Sequence, residues 1–292
     1  MRLKDPAERI TVVSIIVTTF IGVVESSAGL LSGSVAFVAA GVDAFTDTVT
    51  SVGVIVGLRV SKRPPDAEHH YGHLQAETLA SLFLAVVLFI AGIRVAYSAT
   101  ERLYLGAVVQ TTFEIFLLGV LAISVLWILA NKKISTGRKT GNLSVIADGY
   151  HTLSDSVSAL AVFVGLIFVR QGYPNADPII ALGISVLITW WSFRIGRDAL
   201  NILMGASPGH KVMSDIRKVC KSVPGVLDCH KLRARRVGSR ILADLHVLVD
   251  PEMSIRDAHE IATKVEQRLK AKIKGLASVV VHIEPHRRKS RG

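Results

Sequence analysis

Charge is scarce in this chain, and so is cysteine. Only 20% of the 292 residues are Asp, Glu, Lys or Arg, against 50% hydrophobic ones, and the mean hydropathy is +0.45. That balance excludes an ordinary soluble domain and suits a membrane protein. The only cysteines, Cys220 and Cys229, fit neither a C-x-x-C pair nor a disulfide framework, so reduced thiols are expected. No cleavable leader is expected either: the polar start Met1–Arg9 runs straight into a span-length apolar segment with no small-residue cleavage pattern. No base-reading motif accompanies the basic charge, which leaves a nucleic-acid partner without support. His259-Glu260 begins like a metalloprotease H-E-x-x-H, but position 263 is Thr, so that chemistry is excluded too.

What charge there is sits unevenly. Residues 1–207 hold 15 basic and 14 acidic side chains, while 208–292 hold 19 and 9, so nearly all of the net +11 belongs to the last 85 residues. The chain divides into a neutral apolar body over 1–207, a basic domain over 208–285 and a basic tail, 286–292, expected to be disordered. The basic charge suits solubility close to an anionic cytoplasmic leaflet.

Six segments are long enough to cross a hydrocarbon core, which takes roughly 20 helical residues. They lie near 10–30, 34–58, 78–98, 112–131, 142–169 and 178–198. Arg2, Lys4, Arg9, Arg59, Lys62, Arg63, Lys132, Lys133, Arg138 and Lys139 then fall on one side of the membrane, with Arg102 and Arg170 on the other. The positive-inside tendency makes this a multi-pass cell-membrane protein with both termini and the basic domain in the cytoplasm. Segments 3, 4 and 6 are continuously apolar, as lipid-facing helices should be. Segments 2 and 5 are interrupted by Gly, Ser, Thr and ionisable residues, so these two are expected inside the bundle, touching.

Those ionisable residues come in pairs four apart, which places each pair on one helix face. Asp43 and Asp47 lie on segment 2, His151 and Asp155 on segment 5. Asp47 and Asp43 precede Arg59 by 12 and 16 residues, and His151 and Asp155 follow Lys139 by the same numbers. At about 1.5 Å rise per residue the two pairs stand level in the membrane, roughly 18–24 Å from their basic anchors. Arg94 is the cation on offer within a span; it cannot neutralise three acids, and Glu25 and Glu114 compete for it. A divalent cation would, and three carboxylates with an imidazole make a tetrahedral ligand set. Its ligands must be deprotonated to bind, so metal uptake should release protons. Free imidazole titrates at about pH 6.5, which makes His151 the natural exchanger. With all four positions filled by protein, no place remains for a water nucleophile, so an enzyme is not expected and no cofactor is implied.

Further ligand inventories lie outside the spans. After Pro64-Pro65 stops segment 2, Asp66, His69, His70 and His73 crowd into eight residues. The basic domain reads helix 210–223, strands 226–237 and 241–249 about a Gly238-Ser239 turn, a helix from Ser254 to about Lys274, and a strand 277–283. This αββαβ order predicts a small α+β domain with helices packed on one sheet face. His230, His246 and His282 fall on the three strands, the last beside Glu284, and His259 falls on the second helix.

Taken together these residues resemble the cation diffusion facilitators. The resemblance rests on D-x-x-x-D in segment 2, Gly72-His73-Leu-Gln-Ala-Glu77 before segment 3, and Ala147-Asp-Gly-Tyr-His-Thr-Leu-Ser-Asp155 in segment 5, and it covers almost the whole chain. It implies a homodimeric exporter with six transmembrane helices and a cytoplasmic αββαβ domain. Metal would leave the cytoplasm by alternating access against inward proton flow. The transport site would be Asp43, Asp47, His151 and Asp155, with zinc the first expectation and cadmium, iron, cobalt or manganese as alternatives. A zinc-type loop site would be Asp66, His69 and His73, with His70 an extra. A regulatory site that draws two cytoplasmic domains together would be His230, His246, His259 and His282, with Glu284 at a position where related exporters carry Asp. An iron or manganese exporter is the runner-up within the family. From other classes, a metal-gated membrane sensor and a channel are the competing readings.

Overall fold

The computed structural model describes residues 5–32, 35–105, 113–171, 173 and 175–286. The N-terminal part is built from six long helices: α1 Pro6–Ser32, α2 Val35–Ser61, α3 Ala76–Leu105, α4 Phe113–Thr140, α5 Leu143–Arg170 and α6 Ala176–Leu203. Five of them (α1, α2, α3, α4 and α6) are long and apolar enough to cross a membrane by length and composition. The remaining one, α5, matches them in length at 28 residues and carries Asp148, His151 and Asp155. Half of the apolar window of α2 is buried, against 22–28% for the other four, so α2 is the interior helix among them. Side chains such as Ile16, Phe20, Phe83 and Phe193 stand 60–69% exposed on the outer faces, where lipid rather than water is their natural solvent.

Polar seams hold the interior together. Thr18 and Thr48 hydroxyls meet at 2.8 Å and Ser14 and Ser51 at 3.1 Å between α1 and α2, where small side chains let the backbones approach. At one end of the bundle Lys62, just past α2, reaches Asp5 at 2.7 Å and also pairs with Glu8 at the start of α1. The α4–α5 hairpin is closer still: a Cβ on Gly149 would lie 2.7 Å from Ile134 Cγ1.

That hairpin corrects the sequence reading of segment 4. The helix does not stop near 131 but runs on to Thr140, because Ala130, Lys133 and Ile134 bury their side chains (0%, 0% and 7% exposed), with Ile134 against α5. Lys133 is therefore a buried residue and not a loop charge. Lys139 sits in the last turn of α4, and α5 begins only at Leu143, where Asn142 caps it by accepting from the Ser144 and Val145 N–H groups.

The C-terminal part is a three-stranded sheet with two helices, α7 His210–Lys221, β1 Asp228–Val237, β2 Arg240–Val249, α8 Ile255–Lys272 and β3 Leu276–Pro285. The strands lie in the order β1-β2-β3, antiparallel between the first two and parallel between the last two, with α8 as the crossover. Alternation decides which face is covered: Ile241, Ala243, Leu245, Val247 and Val249 of β2 join Ile216 and Cys220 of α7 and Val265 and Leu269 of α8 in one core. The even-numbered residues of β2 point to the uncovered face. The chain divides into two compact units, 5–200 and 201–286 among the described residues, and within the second the segment after α6 adds to the sheet, Arg236 N–H donating to Ala206 O at 2.9 Å. His286 likewise extends the ladder, its N–H donating to Val249 O, while the remainder of the expected tail, 287–292, lies outside the described residues.

Candidate metal centres and the family of the chain

The helices α2 and α5 touch where the sequence puts their ionisable pairs. Asp47 and His151 are 5% and 6% exposed, and His151 Nε2 lies 3.1 Å from Asp47 Oδ1. Ligand atoms of Asp47, His151 and Asp155 fall within 4.8 Å of one another. Both ring nitrogens of His151 and Oδ2 of Asp155 are buried with no hydrogen-bond partner. Buried polar atoms are almost always satisfied, so these atoms are unusual, and one donor atom from each of Asp47, His151 and Asp155 could serve a common ligand.

Asp43 does not join them. Its carboxylate is 64% exposed and turns toward α3, where Arg94 Nη1 stands 3.7 Å from Oδ1. Four residues of helix amount to 400° of rotation, so the side chain one turn along α2 is offset by about 40° and meets a different neighbour. All four residues nonetheless line one cavity of about 500 Å³, together with Arg94 and Arg102.

Sequence reasoning missed the charge next to this cluster. Lys133 Nζ is 2.9 Å from Asp148 Oδ2, with both side chains sealed from solvent (0% and 1% exposed). Ser51 Oγ donates to Asp148 Oδ1 at 3.0 Å, and Lys133 donates to Thr152 Oγ1 at 2.9 Å. Arg94 is thus not the lone cation within the spans. The available signal was Asp148 itself, an acid three residues before His151 that needed a partner. Glu77 of the Gly-His-x-x-x-Glu turn is buried as well and accepts from Asn142 Nδ2 at 2.5 Å, tying the start of α3 to the α4–α5 turn.

The second cluster lies in the loop between α2 and α3. His69 Nδ1 and His73 Nε2 stand 3.3 and 3.4 Å from the two oxygens of Asp66, and the rings are 4.4 Å apart. Asp66 accepts the N–H groups of His69 and Glu68, and these backbone bonds, that of His69 foremost, hold its carboxyl below the ordinary carboxylate range. His70 is exposed and stays out of the group.

The third cluster lies on the uncovered face of the sheet. Register pairs His230 with His246 and His246 with His282, so the three form one row across the strands. His246 Nδ1 is 2.6 Å and His230 Nε2 2.9 Å from Glu284, while His282 is 3.8 Å away, its ring 4.6 Å from that of His246. Hydrogen bonds from His246, His230 and Lys231 hold the Glu284 carboxyl down at about 2. Lys231 occupies a bulge between His230 and Arg233 with φ of 47°, a left-handed conformation rare for a non-glycine residue. His259 does not converge with the others. It is exposed on α8, which packs on the opposite, core-facing side of the sheet.

Residues 11–204 match the profile of the cation efflux transmembrane domain, and residues 208–286 match that of the cation efflux protein cytoplasmic domain. The chain belongs to the cation diffusion facilitator, or cation efflux, family. It is 32% identical over 261 residues to the cation-efflux pump FieF of Serratia proteamaculans, covering 87% of this chain and 84% of that one. An uncharacterized transporter of Methanocaldococcus jannaschii is 28% identical over 277 residues (95% and 98% of the two chains), and the manganese efflux system protein MneS of Bacillus subtilis is 29% identical over 260 residues (88% of each). Among solved structures, the MamM C-terminal domain is 38% identical, spanning 26% of this chain and 96% of that one, with a TM-score of 0.26. This family is one of membrane transporters, and the chain combines its transmembrane and cytoplasmic domains.

Proposed function

We propose that this protein exports a divalent metal cation, zinc in the first place, out of the cytoplasm in exchange for protons. The observation that carries the reading is the buried Asp47–His151–Asp155 cluster with its unsatisfied ring nitrogens and carboxylate oxygen. Two carboxylates balance a dication, and the imidazole nitrogen favours zinc over the harder manganese, which prefers oxygen. Manganese stays the runner-up, because one relative is named a manganese efflux protein. Asp43 supplies the fourth ligand when it leaves Arg94. A bound ion excludes protons from the same donors, which is the elementary basis of exchange. The basic residues at the α2–α3 loop end support a cytoplasmic position for that end and for both termini. The loop cluster Asp66–His69–His73 and the sheet cluster His230–His246–Glu284 with His282 are accessory zinc sites. The latter joins two copies of the chain, with His259 available only from a second copy. A metal sensor would need the exposed clusters alone and has no use for buried acids within the spans.

Purified protein in liposomes tests this. Asp47→Ala should abolish zinc flux, whereas His246→Ala should change only how flux depends on metal concentration. Flux that persists in Asp47→Ala refutes the transport site; flux indifferent to an imposed pH gradient makes the protein a channel.

A further inference from the structure

On one side of the Asp47–His151–Asp155 cluster lies the cavity; on the other lies a buried polar layer. Ser51 stands one turn beyond Asp47 along α2, and Asp148 nearly one turn before His151 on α5. Ser14 of α1 meets Ser51 at 3.1 Å, Ser51 donates to Asp148, and Lys133 of α4 donates to Asp148 and Thr152 at 2.9 Å and to Ser51 at 3.3 Å. Four helices are joined in this way, and all five side chains are at most 1% exposed. None of the five lines the cavity, which runs from the cluster toward Asp43, Ser158 and Arg102. The layer lies on the side of the α2 C-terminus and the α5 N-terminus, the end bearing the basic α2–α3 loop.

The ammonium at its centre has three protons and three acceptors, so it is saturated where it sits. An architectural tie between helices needs no charge, since well-packed apolar groups of similar volume hold a core as well or better than a buried ion pair. A cation fixed on the path of a cation, however, bars that path by like-charge repulsion in a medium that screens little. We propose that Lys133, held by Asp148, Ser51 and Thr152, is the gate that closes the transport site toward the α2–α3 loop. It must leave Asp148 before metal enters from that side. Lys133 is thus a positioning residue for export and not a metal ligand. The inference rests on the transport reading given above.

Three variants in proteoliposomes test it, with zinc binding, zinc flux and thiol reactivity as readouts. Val54, fully buried and about one turn further toward the loop end than Ser51, is the reporter position. In the charge-free pair Lys133→Met/Asp148→Asn, zinc binding should stay within threefold of the unaltered protein. A Val54→Cys substitution in that background should react with a small cationic thiosulfonate at least tenfold faster than in the unaltered pair. Lys133→Arg, whose planar fork grips a carboxylate more firmly, should keep zinc binding and lower flux at least tenfold. The gate is refuted if Lys133→Arg exports at the unaltered rate, which decides the matter even where the double variant fails to fold. It is equally refuted if a folded double variant leaves Val54→Cys as protected as before. Asp47→Ala run alongside separates the two ideas, because zinc flux that survives there overturns the transport site itself.

Discussion

Replacing Lys133 by Met should be among the most damaging single changes in the helical unit. At 2.9 Å the ammonium and the Asp148 carboxylate attract by about 6 kcal/mol at an effective dielectric constant of about 20, before the cost of dehydrating both ions is subtracted. That cost has already been met in the folded protein. Met fills the volume but leaves Asp148 charged, buried and served by the Ser51 hydroxyl alone. Breaking one side of such a pair costs about 3–5 kcal/mol. Asp148→Asn strands the lysine and should cost a similar amount. The double variant Lys133→Met/Asp148→Asn carries no buried charge here and should lose clearly less than the two single changes summed, a coupling of at least about 2–3 kcal/mol where independent sites would add. The assay is unfolding in mixed micelles titrated with dodecyl sulfate, followed by the fluorescence of Trp127, Trp190 and Trp191, in a full double-mutant cycle. Two results would refute the reasoning: a loss of less than about 1 kcal/mol in Lys133→Met, or strict additivity in the double variant.

Two further outcomes follow from other parts of the chain. In metal-free protein the Glu284 carboxyl sits at about 2 instead of its ordinary 4.5, so its stabilising contribution is complete above about pH 4.5 and is lost as pH falls toward 2. Thermal melts of the cytoplasmic unit should therefore drop over that window, and Glu284→Gln should flatten the drop; an unchanged profile in the variant would count against the histidine–carboxylate cluster. Gly41→Ala would set a Cβ 2.1 Å from Ser26 Oγ and 2.7 Å from its backbone nitrogen, which forces α1 and α2 apart beside Asp43 and should cost about 1–3 kcal/mol. Gly53→Ala meets nothing within 4 Å and should stay within about 0.5 kcal/mol, so equal losses in the two would show that helix contact is not the cause.

The accessory clusters differ from the buried one in what they ask of a ligand. Asp66, His69 and Glu284 with its histidines already pair with each other at the surface, so a metal there displaces existing contacts and competes with water. At Asp47, His151 and Asp155 a metal displaces the 3.1 Å contact between His151 and Asp47, but water is largely excluded and the surrounding medium magnifies the attraction between carboxylate and cation.

Much of this protein is decided locally. Apolar length marks the helices, strict alternation in β2 marks the covered sheet face, and an i, i+4 spacing places His151 beside Asp155, because each depends only on the period of one element. The αββαβ order is legible for the same reason, and the meeting of α2 with α5 is legible from the small and ionisable residues that interrupt both. What only tertiary structure decided is which neighbour each charged side chain finds. Asp43 shares a helix face with Asp47, yet the position of α3 gives it to Arg94. Lys133 looks like a loop charge until α4 runs on to Thr140 and packs against α5, which buries it against Asp148. His259 carries the same chemistry as His230, His246 and His282, but α8 packs on the far face of the sheet, so one domain cannot gather all four. Helical and strand periods determine the face a residue occupies; the rotation and contact of whole elements determine what stands opposite, and charge pairing depends on the second.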